Sequence, residues 1–506
     1  MIQRLKKSVG YLIGLTVIGH IISFLRESIF SYYYGTSCQA DAYVMASQIP
    51  ITLFAVVTAS INTVVLPIYS SKKEKEGQDF ADQFMKSFIV VFEVVGLTLT
   101  LLSLLFARQI VLIFAPAFSG DLLELTVRYV SLLFPTILLS ILINILTVRY
   151  NVQKNFSYPQ YMGLFQNLAV IGMMVAFASS MSTDAAVIGT IIGLALNTFF
   201  LAVPCWQVFR KRFEIKELWK DITHVLFRVI PVACGVGIAE VNCIVDKAIA
   251  SGLDTGSITG LNYANKLTVV FSALIVTALS TVCFQQFSNL YAKELFKERF
   301  RELLKYLLIL VYILLPVTCG ALILKRELII VAFARGAFGL ESVNLTSSVF
   351  FYYSIGILPI AIREVLSKYY FSSGNTKTPM INSAIGIAIN IVLNFVLSKY
   401  MGASGLALAT TISYVAVCVL LFVSILKSEK GNGYYYEFVK DCIPSFLGSL
   451  IMTILLFIVN RTLSDTHALV VLVACTLVGM LSYMIFCYFF ARKQMKCVIG
   501  TLFGKV

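Results

Sequence analysis

Charged side chains are scarce in this sequence, which has only 13% Asp, Glu, Lys and Arg against 58% apolar residues over 506 positions. A soluble protein of this length needs many more charged residues to cover its surface. Intrinsic disorder is excluded as well, because disordered chains have low hydrophobicity. The mean hydropathy of +0.87 therefore predicts an integral membrane protein.

Several motifs that carry chemistry are missing. The 11 cysteines lie singly, no C-x-x-C occurs and the three histidines are far apart, so we interpret the cysteines as small hydrophobic residues. No G-x-x-x-x-G-K-[ST] loop is present, which argues against ATP-driven transport by this chain alone. The short loops contain no arrangement of nucleophile and base. We expect neither an enzyme nor a resident organic cofactor.

Long apolar runs make up most of the sequence. A helix needs about 20 apolar residues to cross ~30 Å of hydrocarbon, and fourteen stretches meet that length. They cover residues 10–33, 41–69, 84–107, 122–149, 159–179, 185–208, 221–249, 258–285, 301–324, 343–368, 380–399, 404–426, 442–460 and 466–490. No small-residue cleavage site follows the first run, so we predict an uncleaved first helix rather than a signal peptide.

The net charge of +14 has a topological explanation. If the N-terminus is cytoplasmic and the spans alternate, the large majority of the loop Lys and Arg residues lie in cytoplasmic segments. This distribution is the positive-inside pattern of multi-pass membrane proteins. It predicts that both termini are cytoplasmic, and it makes a nucleic-acid partner unnecessary as an explanation of the basic charge.

The sequence contains an internal repeat. Tyr150…Asn155…Pro159 recurs as Tyr370…Asn375…Pro379, Thr63-Val64 recurs as Thr281-Val282, and Gly193-Leu-Ala-Leu recurs as Gly405-Leu-Ala-Leu. We predict two six-helix lobes, residues 1–215 and 216–430, related by a pseudo-two-fold axis along the membrane normal with a cavity between them. Residues 431–506 would add two trailing transmembrane helices and a cytoplasmic tail. The fold class is thus an all-α polytopic membrane protein, organised as transporters are.

Several charged residues lie inside the predicted spans, among them Arg26, Glu27, Glu93, Asp246, Lys247 and Lys266. Each would cost about 2.5–3.5 kcal/mol facing lipid, so we expect them to face one another or a wet cavity. We interpret Arg26 and Lys266 as cavity cations that attract an anionic substrate such as a phosphate. Two readings stay open for Glu27, a cavity role or an ion pair that joins helices. His20 shares a helix face with Glu27 and is either a cavity residue or a packing residue.

A second polar group suggests a cation site. Asn390 and Asn394 are spaced i,i+4 in the eleventh span, and Thr410 lies early in the twelfth. With Asp246 they would offer hard oxygen ligands for a small cation. The other reading is that the asparagines join neighbouring helices, as they often do in membranes. Asp41 opens the second span, where it could cap that helix.

Several stretches resemble one known family. Phe24-Leu-Arg-Glu-Ser, Ala40-Asp-Ala-Tyr, Val245-Asp-Lys-Ala-Ile-Ala-Ser-Gly, Leu261-Asn-Tyr-Ala-Asn-Lys-Leu267 and Gly405-Leu-Ala-Leu-Ala-Thr410 are similar to the MviN/MurJ family. These proteins are bacterial lipid II flippases of the multidrug/oligosaccharidyl-lipid/polysaccharide (MOP) exporter superfamily. The resemblance covers the whole chain, with two trailing helices after the repeat. It implies a monomer in the bacterial cytoplasmic membrane, without nucleic acid.

The resemblance implies a function. Such proteins move undecaprenyl-diphosphate-linked peptidoglycan precursor from the inner to the outer leaflet by alternating access. The family's substrate-binding positions match Arg26, Asp41 and Lys266, and the sodium site of some members matches Asp246, Asn390, Asn394 and Thr410. The trailing helices would form a groove for the lipid tail.

The chain departs from the family pattern at two cationic positions. His20 stands where many members carry a second arginine in the first helix, and Phe54 stands where Gram-negative members carry another. A flippase for a different polyprenyl-diphosphate-linked polysaccharide is therefore the nearest alternative. A cation-coupled multidrug antiporter has the same superfamily fold, but it would need an anionic cavity.

Overall fold

Most of the described residues are helical. A computed structural model describes residues 2–61, 65–211, 236–428 and 434–503, and those residues form no β-strand. Eleven helical segments within them are long and apolar enough to cross a membrane. These findings confirm an all-helical membrane protein.

The eleven segments overlap eleven of the fourteen predicted spans, although the second span was predicted to run to residue 69 and its segment ends at Ala59. The first and eighth predicted spans lie in the long helices Ile2–Tyr34 and Ser257–Ala292. The seventh, 221–249, begins outside the described residues and is helical from residue 236. The count of fourteen spans stays a prediction.

The described chain divides into two compact units. The first contains the residues up to Thr259 together with the short segment Gly336–Phe338. Its helices are α1 Ile2–Tyr34, α2 Cys38–Ser60, α3 Leu66–Glu76, α4 Gln78–Leu105, α5 Ala107–Phe114, α6 Gly120–Leu133, α7 Thr136–Val152, α8 Ser157–Met181, α9 Asp184–Ala202, α10 Trp206–Arg210 and α11 236–251.

The second unit contains residues 260–335 and 339–506. Its helices are α12 Ser257–Ala292, α13 Phe296–Ile323, α14 Lys325–Phe333, α15 Leu340–Ile355, α16 Ile357–Phe371, α17 Lys377–Met401, α18 Ala403–Ser428, α19 Tyr434–Thr462, α20 Ala468–Phe490 and α21 Arg492–Phe503. The two units are defined by packing, whereas the predicted boundaries after residues 215 and 430 are defined by the sequence repeat. Those boundaries stay a prediction.

Glycines allow α8 and α9 to pack closely in the first unit. A Cβ atom added at Gly189 or Gly193 would lie 2.8 Å from the Cα atom of Val170 or Gln166 on the facing helix. Small residues at such contacts let two backbones approach, which is how helices commonly associate in membranes. In the second unit, a Cβ atom at Gly405 would clash with the carbonyl oxygen of Leu397.

The structure corrects one argument for the repeat and supports another. Gly193 is the tenth residue of α9 but Gly405 is the third residue of α18, so the two Gly-Leu-Ala-Leu segments are not equivalent. The tyrosines are equivalent in their local contacts. The Tyr150 hydroxyl donates to the Leu201 carbonyl at 3.1 Å, and the Tyr370 hydroxyl donates to the Leu421 carbonyl at 3.1 Å.

Candidate functional site

Arg26 and Glu27 form an ion pair within α1. An Nη atom of Arg26 donates to Oε1 of Glu27 at 2.5 Å, and the two side chains are 22% and 7% exposed. The charges of two adjacent residues thus compensate each other, as the cost of burying them requires. A guanidinium has five N–H donors, so this one bond leaves Arg26 able to bind an anion as well.

His20 lies on a polar cavity of the first unit. The cavity has a volume of about 470 Å³ and is lined by α1, α7, α8 and α9. His20 is exposed, and Thr16 and Gly19 of the same helix, which also line the cavity, are half-buried. The cavity reading of His20 is therefore consistent with its position.

Asp41 binds the first turn of a different helix from its own. Its Oδ2 accepts the Gly256 backbone N–H at 2.6 Å, and its Oδ1 accepts the Thr259 N–H at 2.8 Å and the Thr259 hydroxyl at 2.6 Å. The carboxylate is 4% exposed. It therefore satisfies donors at the N-terminus of α12, where a negative charge is also favoured by the helix dipole.

The cap of α2 is Ser37, whose Oγ accepts the Ala40 N–H at 3.2 Å. The expectation that Asp41 caps its own helix is thus wrong. The contact with α12 was invisible in sequence, because Gly256 and Thr259 lie more than 200 positions away.

Lys266 and Asp246 belong to different units. Lys266 is half-buried in α12, and none of the residues described forms an ion pair with it. Asp246 is half-buried in α11, where its Oδ2 accepts from the Asn242 amide at 3.3 Å.

Asn390, Asn394 and Thr410 come together in the second unit. The Asn394 amide donates to Oδ1 of Asn390 at 3.0 Å, and the Asn390 amide donates to the Thr410 hydroxyl at 3.4 Å. Asn390 is 2% exposed and Asn394 is fully buried. Their oxygens are neutral and hard, which suits a monovalent cation, but the same bonds also join α17 to α18. The structure brings these three residues together, and the cation site stays a prediction.

The trailing helices line an apolar cavity of about 530 Å³ in the second unit. Side chains from α13, α19 and α20 form most of its wall, and they include Pro316, Val317, Met452, Leu456, Leu472 and Met480. Its apolar lining is chemically suited to an acyl or prenyl chain.

A comparison with known families decides the identity of the chain. The family model described as lipid II flippase MurJ matches residues 30–443. The chain belongs to the MurJ family. This match includes Asp41, Asp246, Lys266, Asn390, Asn394 and Thr410 of the predicted sites, whereas His20, Arg26 and Glu27 lie just before it.

Curated MurJ relatives span nearly the whole chain. A probable lipid II flippase MurJ of Buchnera aphidicola subsp. Baizongia pistaciae is 28% identical over 92% of both chains. The lipid II flippase MurJ of Thermosipho africanus is 26% identical over 95% of this chain and 96% of the relative.

Solved structures show the same fold. A lipid II flippase MurJ in an inward closed conformation matches with a TM-score of 0.83 and 25% identity, over 95% of this chain and 98% of that one. A multidrug resistance MATE family transporter of the MOP superfamily matches with a TM-score of 0.69 at 12% identity, over 82% of this chain and 100% of that chain. At that identity the MATE similarity concerns the fold alone.

One buried charge pair of this MurJ family member was missed in the sequence. Arg149 of α7 donates from Nε and Nη2 to the two oxygens of Asp82 in α4, at 3.1 and 3.2 Å. Tyr69 and Gln78 donate to the same carboxylate at 2.9 and 2.7 Å. The sequence places Arg149 at the end of the predicted span 122–149, and its partner lies 67 residues away along the chain.

Proposed function

We propose that this chain is a flippase that translocates lipid II from the inner to the outer leaflet of the bacterial cytoplasmic membrane by alternating access. The observation that carries the proposal is the MurJ family match over residues 30–443. Relatives whose names give this activity span more than nine-tenths of the chain. A transport function agrees with an all-helical chain with many apolar spans.

The full topology is part of the proposal. It comprises fourteen transmembrane helices, two six-helix lobes related by a pseudo-two-fold axis, two trailing helices and cytoplasmic termini. Eleven candidate spans support it, as does the positive-inside distribution of Lys and Arg. The matching hydrogen bonds of Tyr150 and Tyr370 support the repeat. We expect the protein to act as a monomer.

The cationic residues explain how a diphosphate could leave water. A diphosphate carries a charge near −2 and cannot cross hydrocarbon unaided, because even one charge at the bilayer centre costs several kcal/mol. We assign Arg26 and Lys266 to the phosphate oxygens, with Glu27 holding Arg26 in place and His20 and Asp41 completing the substrate-binding set. The apolar cavity between α13 and the trailing helices suits the lipid tail.

We also propose that sodium drives the cycle. Asn390, Asn394 and Thr410 offer neutral oxygens in one buried cluster, and Asp246 would add one negative charge. A single carboxylate suits a monovalent cation better than a divalent ion, which recruits more carboxylates. When bound, sodium would compensate the Asp246 charge and supply the driving force of its gradient.

Reconstitution tests the flippase. Purified protein in liposomes that contain lipid II fluorescently labelled on its head group should make the inner-leaflet lipid accessible to an outside quencher. Depleting the protein in cells should make lipid II accumulate in the inner leaflet. Transport of another polyprenyl-diphosphate glycan, with lipid II left untouched, would favour the polysaccharide alternative. Export of a lipophilic cation alone would favour the antiporter.

A further inference from the structure

The polar cavity of the first unit has an unusual lining for a protein that handles a charged lipid. Seven polar side chains reach it, and among the described residues that line it there is no Asp, Glu, Lys or Arg. The amides come from Asn144 of α7, Gln160 and Gln166 of α8, and Asn197 of α9. Its volume of about 470 Å³ is in the range of small-molecule sites, roughly 300–1,000 Å³.

One of these amides has a buried oxygen that lacks a hydrogen-bond partner among the described residues. Asn197 is 2% exposed, and its Oδ1 has no hydrogen-bond partner among the described residues. The side-chain amides of Gln160 and Gln166 likewise bond to no other described group. A buried polar atom without a partner costs about 1–3 kcal/mol, so a ligand that supplies the missing donor would bind favourably there.

The chemistry of the lining selects the ligand. Side-chain amides present donors and acceptors together, which suits hydroxyl and acetamido groups. A diphosphate would require cations, and a bound metal cation would require a carboxylate. The described lining has no Lys, Arg or carboxylate and is dominated by amides and hydroxyls, so it favours an uncharged, hydroxyl-rich and amide-bearing molecule, which is the description of an N-acetylated sugar.

The position of the cavity on α1 connects it to the phosphate site. Gly19 lines the cavity and lies seven residues before Arg26, hence on the same helix face. Along the helix axis this separation is about 10 Å, which a sugar linked to the diphosphate can span. We propose that this cavity is the subsite for the sugar part of the lipid-linked substrate. The inference rests on the proposed function and deepens it.

One glycine allows the cavity to be filled without a clash, and a second provides a control. A Cβ atom added at Gly163 of α8 meets no heavy atom within 4 Å, and Gly163 lines the cavity. Gly163→Leu should therefore fold, since leucine also favours a helix more than glycine does. Gly172 of the same helix is equally open but does not line the cavity. Gly172→Leu is the matched control.

The experiment compares two lipids on the purified full-length protein. Dissociation constants are measured for lipid II and for undecaprenyl diphosphate, which lacks the sugars. Gly163→Leu should weaken lipid II binding about tenfold and leave undecaprenyl diphosphate binding unchanged. Asn197→Leu should weaken lipid II in the same selective way without lowering the melting temperature, because it removes the unsatisfied oxygen. Gly172→Leu should change neither constant.

The outcomes separate the subsite from the function. If wild-type protein binds lipid II and Gly163→Leu does not change the ratio of the two constants, the sugar subsite is wrong and the flippase stands. Equal wild-type affinity for both lipids would refute the subsite in the same way. If the wild type binds neither lipid, the proposed function itself is wrong, and the subsite with it.

Discussion

Asp82 holds Arg149 through both of its carboxylate oxygens, and this pair is almost completely buried. The Asp82 side chain is 3% exposed and that of Arg149 is 10% exposed. Asp79 lies on the same helix as Asp82 and forms an exposed ion pair with Lys211. The distance is 2.7 Å, and the Asp79 side chain is 93% exposed. The two pairs allow the effect of burial to be separated from the effect of charge.

We expect Asp82→Ala to lower the free energy of unfolding by about 3–5 kcal/mol, because it leaves the Arg149 guanidinium buried without its carboxylate. Asp79→Ala should cost less than about 1 kcal/mol, as exposed pairs do. Thermal melting of the purified protein in detergent measures both. The double variant Asp82→Leu/Arg149→Met should recover most of the loss, since it removes both buried charges. Equal melting temperatures for Asp82→Ala and Asp79→Ala would contradict this account.

Asp41 gives a second stability prediction, because its carboxylate bonds to Gly256 and Thr259. Asp41→Asn removes the charge and replaces one accepting oxygen with an amide NH₂ group, which would face an N–H or O–H donor. We therefore expect the free energy of unfolding to fall by about 1–3 kcal/mol even without substrate. Ser37→Ala, which removes the cap of α2, should cost about 1 kcal/mol and serves as the comparison. A variant Asp41→Asn that melts as the wild type does but no longer flips lipid would show that the Asp41 charge serves only the substrate and does not stabilise α12.

The next prediction concerns Arg26 and Lys266, the two cations assigned to the phosphate oxygens. Replacing either with alanine should reduce the initial rate of lipid II flipping by about 10- to 100-fold, the value of a charge-assisted hydrogen bond. Arg26→Lys should keep partial activity if charge is what matters, and lose it if bidentate geometry is required. Arg108→Ala is the control, since Arg108 is 57% exposed in a pair with Glu124. Full activity of both alanine variants, at normal protein levels, would show that these cations only pack.

The topology is testable with single cysteines. In a variant without the native cysteines, an impermeant maleimide should label Ser119→Cys and Ser464→Cys from outside intact cells, because both lie in predicted outer loops. It should leave Glu74→Cys and Lys493→Cys unlabelled until the cells are opened. All four positions are described in the structure, and Ser464 and Glu74 are exposed. Labelling of Glu74→Cys in intact cells would contradict the predicted orientation.

The sequence predicted features that follow from transfer free energies. Helical spans and the Arg26–Glu27 pair could be predicted because charge in hydrocarbon is costly and because the two partners are adjacent. The Asp82–Arg149 pair and the Asp41 contact could not, since nothing in one sequence shows which distant helices pack together. The repeat offered no help for Arg149. Its counterpart 220 positions later is Tyr369. The buried arginine at that place is Arg299, which donates to the Tyr369 carbonyl at 2.5 Å and stacks on the Tyr369 ring.

The polar cavity could not be predicted for the same reason, since it depends on which helices pack together. Thr16 and Asn197 are ordinary helix residues in sequence, and only the packing of α1, α7, α8 and α9 brings them to one surface. Of the residues that line the cavity, the sequence pointed to His20, because its spacing from Glu27 places both residues on one helix face. For Asn390 and Asn394 the i,i+4 spacing was sufficient to predict that their side chains are neighbours, because both residues lie on one helix.

The sodium site gives the last prediction. If Asp246, Asn390, Asn394 and Thr410 bind sodium, the folded protein should gain stability by mass action, about 2 kcal/mol at ~30 times the dissociation constant. Melting temperatures should therefore rise with sodium and stay constant with choline at equal ionic strength. Thr410→Val should remove the response, because it deletes an oxygen of the cluster. The adjacent Thr411 donates to the Tyr352 carbonyl at 2.8 Å, so Thr411→Val should lower the melting temperature but keep the sodium response. A wild-type melting temperature indifferent to sodium would leave Asn390 and Asn394 as residues that join α17 to α18 and would point to protons or membrane potential as the driving force.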